Sequence, residues 1–494
     1  MNRRPVDSLT GSGIARFGTT LAGRPILRAV CAVGALVLLA VPVLAPTTTP
    51  LVVAVIVVGA LWLNSRRDEH TALSILFALA FLIPASLIIN PLGQIGVPGL
   101  IVAALLLALW CYGRIDSSLG TDRGRQPMRI VCLVFVGVVL ASYVAGQLRG
   151  LSPLEASASD ASLFGQACAM GLLLFVTDTL RDIDGVTRLL RLIVAACGVL
   201  AVSALLQFLG VVDLYQQLRL PGLTFHFTED VDALARSGFH RVQGLAGHPI
   251  EYAVVLSLAM PIALHLALTA PKGRRLRWWA MFALVAGCMP LSVSRSGVLT
   301  AAVALAVYLV SVRLRMVFNL IPFVAAGLAA MSAMVPGLLG SLRSILLPST
   351  LSTDPSVQGR TDDYAAVFTV WHDHPLLGLG VGTYIPKLYR ILDNEYLFTL
   401  ATMGALGVAA ELALLATGYS LARRVHRTVA DPVVRSLAQA IAASIAGAAV
   451  AAFTFDAFGY KLMFVVTFSL LGAAAALWRI AVRDRAAEPL ASVR

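Results

Sequence analysis

Gly359-Arg360-Thr361-Asp362-Asp363-Tyr364, Trp371-His372-Asp373-His374-Pro375, Gly378-Leu379-Gly380-Val381-Gly382 and Asp393-Asn394-Glu395-Tyr396-Leu397 follow one another between Gly340 and Gly407, in a chain that is otherwise mostly apolar. A polar, turn-rich segment of that length interrupts the sequence around it, and its flanks decide what it is. The mean hydropathy is +0.84, with 58% hydrophobic and 13% charged residues. Soluble domains average about 25% charged, so a soluble globular protein is excluded.

The apolar residues fall in runs of roughly 20, the length that crosses a bilayer core as helix. Such runs stand near 26–45, 49–63, 71–89, 95–112, 128–146, 162–177, 187–211, 250–270, 277–293, 297–312, 317–339, 396–421, 436–455 and 461–480. Pro84, Pro261 and Pro322 lie inside runs, where membrane helices tolerate them as kinks. The expected fold is an all-α, polytopic integral membrane protein of about 12–14 transmembrane helices with two long extracytoplasmic loops containing short helices. All six cysteines sit in or at the ends of apolar runs, which argues against a disulfide framework or a metal cluster. The start has no clear cleavage site, so its first run is read as a retained helix.

The net charge of +12 suggests nucleic acid only in a soluble protein. With the N-terminus inside, 28 of the 38 Lys and Arg residues fall on the cytoplasmic side, the bias that the positive-inside rule requires. That orientation puts both termini in the cytoplasm and accounts for the charge without a nucleic-acid partner; the expected location is the plasma (inner) membrane. It also puts the two long segments, 212–249 and 340–395, outside. Loops of that length in a tightly connected bundle are functional or disordered. Their aromatics, glycines and short helical patterns favour order. In the second, Thr361 is expected to cap a helix from Asp362 to about Asp373, stopped before Pro375.

Seven of the ten outside cations (Arg219, Arg236, Arg241, Arg343, Arg360, Lys387 and Arg390) lie in those two loops. Arg295, in Ser294-Arg295-Ser296-Gly297, stands between two apolar runs, where a charge needs a partner. Guanidinium groups suit bidentate binding of phosphate oxygens, so a converging set would hold a polyanionic head group such as a lipid diphosphate. The bland alternatives are snorkelling and solvation. Asp393 has a bland reading too, as a helix N-cap.

Other candidates weaken. Gly378-Leu-Gly380-Val-Gly382 imitates a dinucleotide fingerprint without its strand context and reads as a tight backbone turn. His372 and His374 diverge on a helix and lack a third metal ligand. Asp182-Ile-Asp184 reads as solvated loop charge, and Asp456 as outer rim. Glu251 is a possible partner of Arg241. The spans read as nearly free of charge, Asp178 and Arg191 lying near cytoplasmic ends.

Arg360, Trp371, Pro375-Leu-Leu-Gly378-Leu-Gly380-Val-Gly382-Thr-Tyr384, Asp393-Asn394-Glu-Tyr396-Leu397 and Gly404-Ala-Leu-Gly407 together resemble the O-antigen ligase and polymerase superfamily. Arg241-Val-Gln-Gly244-Leu-Ala-Gly247-His248-Pro249 and Ser294-Arg295-Ser296-Gly297 resemble its two shorter motifs, and the likeness spans roughly 190–420. The resemblance implies a metal-independent glycosyltransferase with no cofactor. It would move glycan from an undecaprenyl- or other polyprenyl-diphosphate carrier to a glycan or lipid acceptor. By carry-over Arg360 and Arg295 would act in catalysis with Asp393. Arg241, Arg236, His248, Asn394, Tyr396 and Trp371 would contact substrate. Where the ligases carry His-Asn, this chain has Asp393-Asn394, a carboxylate of ordinary pKa near 4 and so a weaker base, which points toward a repeat-unit or exopolysaccharide polymerase.

The expected domains are a cytoplasmic tail (1–25), an N-terminal bundle (26–211), a ligase/polymerase-like core (212–421), C-terminal helices (422–485) and a second tail (486–494). Besides membrane lipids, a chain-length regulator or a flippase is a possible partner. A lipid-linked-sugar flippase is the rival of another class. Its charges should line a midplane cavity rather than gather in loops.

Overall fold

A computed structural model describes residues 69–84, 86–115, 126–220, 222–225, 235–236, 239–312 and 355–491. The runs at 26–45, 49–63 and 317–339 lie outside the described residues. The helices are α1 (Glu69–Leu82), α2 (Pro98–Ile115), α3 (Pro127–Arg149), α4 (Pro153–Thr179), α5 (Ile183–Phe208) and the single turn α6 (Leu214–Gln217). They continue as α7 (Pro249–Thr269), α8 (Lys272–Cys288), α9 (Arg295–Leu309), α10 (Pro355–Asp373), α11 (Glu395–Thr428), α12 (Pro432–Ala452) and α13 (Lys461–Ala491). Eight of them (α2–α5, α7, α11, α12 and α13) are long and apolar enough to cross a membrane, and α1 and α9 are shorter apolar helices. The chain is thus an all-helical, multi-pass membrane protein.

Local chemistry sets the boundaries. Proline opens α2, α3, α4, α7 and α12, where the missing N–H costs nothing and φ is already helical. Ser152 and Glu155 form a reciprocal capping box on α4. Asp182, exposed as expected of a solvated loop charge, also accepts from the Gly185 N–H at 2.6 Å and caps α5. The run read at 71–89 stops at Leu82, because Pro84 ends the helix and the chain turns into β1 (Leu87–Ile88). That strand pairs antiparallel with β2 (Thr224–Phe225), and β3 (Ala235–Arg236) pairs with β4 (Phe239–His240). The first long loop therefore contains one strand pair, a strand that pairs back to residues 87–88, and a helical turn.

The core is built around α7, buried along nearly its whole length with α5, α8, α9 and α12 packed on it. Pro261 sits inside α7 without ending it. A second layer places α13 against α4 and α11, and α11 against α3 and α12. Because the long helices alternate in direction, the connections 150–152, 209–248, 289–294, 374–394 and 453–460 share one end of the bundle. The connections after α4, α7 and α11 share the other. The arginine motifs, the glycine run and Asp393-Asn394 fall at the first end, and Asp182-Ile-Asp184 falls at the other.

Candidate active site

The motif end is organised by a break in α11. At Gly404 the backbone leaves helical geometry (φ 66°, ψ −166°), a region that favours glycine. A Cβ there would lie 2.3 Å from the Leu376 carbonyl carbon. The break leaves carbonyls and N–H groups that lipid cannot satisfy, and residues 375–380 satisfy them. Leu379 and Gly380 donate N–H bonds to the Ala401 and Thr402 carbonyls, both at 2.9 Å. Pro375 and Leu376 carbonyls accept from Ala405 (2.9 Å) and Leu406 (3.2 Å). Ser142 of α3 adds its hydroxyl to the Leu377 and Thr402 carbonyls, both at 3.0 Å.

The glycine run is a backbone splice rather than a phosphate cradle. Gly378, Gly380 and Gly382 all have positive φ. Gly380 and Gly146 of α3 approach so closely that a Cβ on Gly380 would stand 2.7 Å from the Gly146 Cα.

Helix α10 docks on the part of α11 that precedes the break through Val367, Leu379, Tyr384, Leu392, Leu397 and Ala401. It begins at Pro355, six residues before the expected cap at Thr361, since proline presets the first turn. Arg390 Nε meets Asp363 Oδ1 at 2.7 Å, and the Asp363 carboxylate also accepts the Asp393 N–H. Burial raises the Asp363 pKa against the opposing pull of Arg390. Arg360 precedes Asp363 by three residues on α10, about 4.5 Å along its axis. The side chains of Arg360, Arg236 and Thr361 lie outside the described residues.

The other sequence candidates take these places. Arg241 is buried and donates from Nε to the Ser292 carbonyl at 3.1 Å, which ties it to the turn that opens α9. Val293 in that turn has φ 49°, uncommon for a β-branched residue. Ser294 then caps α9, so Arg295 is its first residue. His248 caps α7 through Nδ1, which accepts the Ile250 N–H at 3.0 Å, and its ring lies 5.8 Å from that of Tyr460. Burial and the nearby Arg241 charge push its pKa down to about 3, so it is neutral with its hydrogen on Nε2.

Asn394, not Asp393, caps α11, accepting from Leu397 N–H at 3.2 Å, while Asp393 is exposed. Tyr396 donates its hydroxyl to the Ala449 carbonyl at 2.9 Å. Trp371 donates to the Pro375 carbonyl at 2.9 Å, with Phe368 edge-on to it and Tyr364 stacked on Phe368. Asn394, Tyr396 and Trp371 thus each make a contact that holds the site's frame.

Carboxylates are what the sequence reading missed. Glu251 does not wait for Arg241: it is buried in α7 and takes the N–H groups of Gly247 and Leu462, both at 2.7 Å. Glu411, inside the apolar run of α11, accepts from the Thr399 hydroxyl at 2.7 Å. Glu395 accepts the Phe458 N–H at 2.8 Å and is hydrogen-bonded to Asp456. Asp456 is no simple rim residue: it also accepts the Gly459 N–H, and burial raises its pKa, with the Asp393 charge adding to the rise. The spans are not nearly free of charge, and a lone acid within an apolar run was the available signal.

A multi-pass helical bundle with its irregular backbone, basic motifs and buried acids gathered at one end is the class these features define. Residues 279–412 match the family model described as O-antigen ligase, which supports a place in the O-antigen ligase and polymerase superfamily. The match supports a ligase/polymerase-type, glycosyltransferase-like role in glycan biosynthesis with a lipid-linked glycan as substrate. No curated protein matches the chain.

Proposed function

We propose that the protein polymerises glycan repeat units from a polyprenyl-diphosphate carrier on the extracytoplasmic face of the plasma membrane. One observation carries this reading: the motif segments around Arg241, Arg295, Arg360 and Asp393 all fall at one end of the bundle, within or beside the family match. The basic helix turns that flank the connections after α4, α7 and α11 (Arg181 to Arg191, Lys272 to Arg277 and Arg423 to Arg435) lie at the opposite end, which by the positive-inside rule supports an outward-facing motif end and cytoplasmic termini. No metal or cofactor enters the mechanism.

In this mechanism Arg241, Arg295 and Arg360 hold the donor diphosphate, with Arg236 and His248 as further contacts. Preorganised cations matter most where negative charge grows, here on the diphosphate leaving the anomeric carbon. Asp393, exposed and beside the start of α11, accepts the proton of the attacking hydroxyl as the new glycosidic bond forms. Asn394, Tyr396 and Trp371 line the same segment and keep that carboxylate in register. The core of this activity is 212–421, with the flanking helices as scaffold.

Attachment of a finished glycan to a lipid or envelope acceptor is the second reading, favoured by the ligase description of the matching family. Analysis of lipid-linked glycans after deletion separates the outcomes. Single repeat units accumulating outside support the polymerase. Long lipid-linked polymer supports the ligase, and units trapped inside would instead indicate a flippase.

A further inference from the structure

The break at Gly404 divides α11 into an outer half, which begins beside Asp393 and Asn394, and an inner half that continues to Thr428. The hydrogen bond from Thr399 Oγ1 to Glu411 Oε2 joins a side chain before the break to one after it. Thr399 and Glu411 are both buried. Gly407 lets the two halves close on each other, since a Cβ there would lie 2.3 Å from the Met403 Cβ and 3.2 Å from a Thr399 methyl.

Behind this bond is a cavity lined by Gln166, Glu395, Thr399, Met403, Glu411 and Phe458, among others, with room for about one water molecule. Glu411 lines that cavity, and its buried Oε1 has no hydrogen-bond partner among the described residues. A carboxyl is costly to keep ionised at membrane depth without a cation, so a neutral hydrogen-bonding role fits it better than a fixed charge. On the other flank Glu395 ties the outer half to the α12–α13 connection through the Phe458 N–H, and the Phe455 carbonyl accepts the Glu395 N–H at 3.2 Å.

We propose that Glu411 is a positioning residue for glycosyl transfer: through Thr399 it fixes the angle between the two halves of α11, and so the placement of Asp393. The inference rests on the proposed function for what Asp393 does, and on geometry alone for the latch. Glu411 touches no reacting atom. Removing the latch should therefore lower turnover more than donor binding, because misplacing a reacting group by a fraction of an ångström is felt chiefly in the transition state.

The test compares full-length protein in membranes as wild type, Thr399→Val and Glu411→Gln, using a lipid-diphosphate-linked repeat unit as donor. Thr399→Val keeps the shape and removes only the hydroxyl donor. Glu411→Gln keeps an oxygen acceptor and removes the capacity for charge. The expected result is a fall of about tenfold or more in kcat for Thr399→Val with KM within about threefold, and near wild-type turnover for Glu411→Gln. Hydrogen exchange of the outer-half amides, residues 397–403, should quicken in Thr399→Val and stay protected in Glu411→Gln.

Unchanged turnover and unchanged exchange in Thr399→Val would overturn the latch. So would an equal loss in Glu411→Gln, which would assign the effect to charge. A wild type inert on lipid-linked donors would count against the proposed function, while the exchange comparison still decides the latch.

Discussion

The two ends of the bundle use the same residue types differently. At the end away from the motifs, Asp178 accepts from Arg129 at 2.6 Å and from the Trp110 indole at 2.9 Å. Arg479 donates to the Leu180 carbonyl, and Arg423 donates to Gln439, whose amide reaches the Val307 carbonyl. His265 and Tyr308 share the Ser436 hydroxyl at 2.8 and 2.9 Å. These contacts join regular helices. At the motif end Arg241 donates to the Ser292 backbone carbonyl, while acids crowd one another and three alternate glycines turn left-handed. One end is settled in closed pairs. The other sets ion pairs such as Arg390–Asp363 and Arg149–Glu155 beside clustered acids and irregular backbone.

That contrast can be broken by mutation. The largest effect is expected for Arg360→Ala, which should abolish glycan transfer, a loss of about a hundredfold or more, while protein remains in the membrane. Normal-length surface glycan from this variant would remove Arg360 from the site. Next comes Arg129→Ala at the opposite end. Leaving Asp178 buried and unpaired should cost about 3–5 kcal/mol in detergent unfolding, with turnover per folded molecule unchanged. If that variant instead lost activity without losing stability, the two ends would not be separable.

A smaller effect is expected for Arg390→Ala, which removes one of two ties between the 385–393 segment and Asp363 and leaves the Asp393 N–H bond. Turnover should drop by about three- to tenfold with little change in melting temperature. The smallest is a pH effect at His248. Its folded pKa of about 3 lies below the ordinary 6.5, so between these values the unfolded chain takes up a proton that the folded chain refuses. Its stabilising contribution is complete above pH 6.5 and declines as pH falls toward 3. His248→Asn should flatten the acid side of the stability profile while leaving neutral pH little changed; an unaltered slope would assign the acid sensitivity to other groups.

Much of the architecture was legible because hydropathy reports burial in lipid directly. The runs from 95 to 312 and from 396 to 480 each became a helix, most of them close to the expected bounds, although α4 starts at Pro153 rather than 162 and α11 and α13 continue to Thr428 and Ala491. Features that depend on contact across the fold were not legible. Gly378, Gly380 and Gly382 could be read as a turn, but not as a splice for a break 20-odd residues further on, because no local signal names the Ala401 and Thr402 carbonyls. Asn394 took the cap expected as one role of Asp393, since only the backbone geometry at the helix start chooses between neighbours. Glu411 was visible as a lone acid in an apolar run. Its partner Thr399, twelve residues away in sequence, required the kink to be seen.

The splice between residues 375–380 and the break in α11 has a consequence for how the protein is made. The segment leans on Ser142 and Gly146 of α3, which precede the 279–412 match by well over a hundred residues. Irregular backbone at this depth has nothing else to bond with in lipid, so α3 must be waiting in the membrane when the later segment leaves the ribosome. The ligase-like region is therefore a late arrival that completes an earlier scaffold. Expressed without that scaffold it should fail to assemble, and supplying the first helices on a separate chain is the natural way to rescue it.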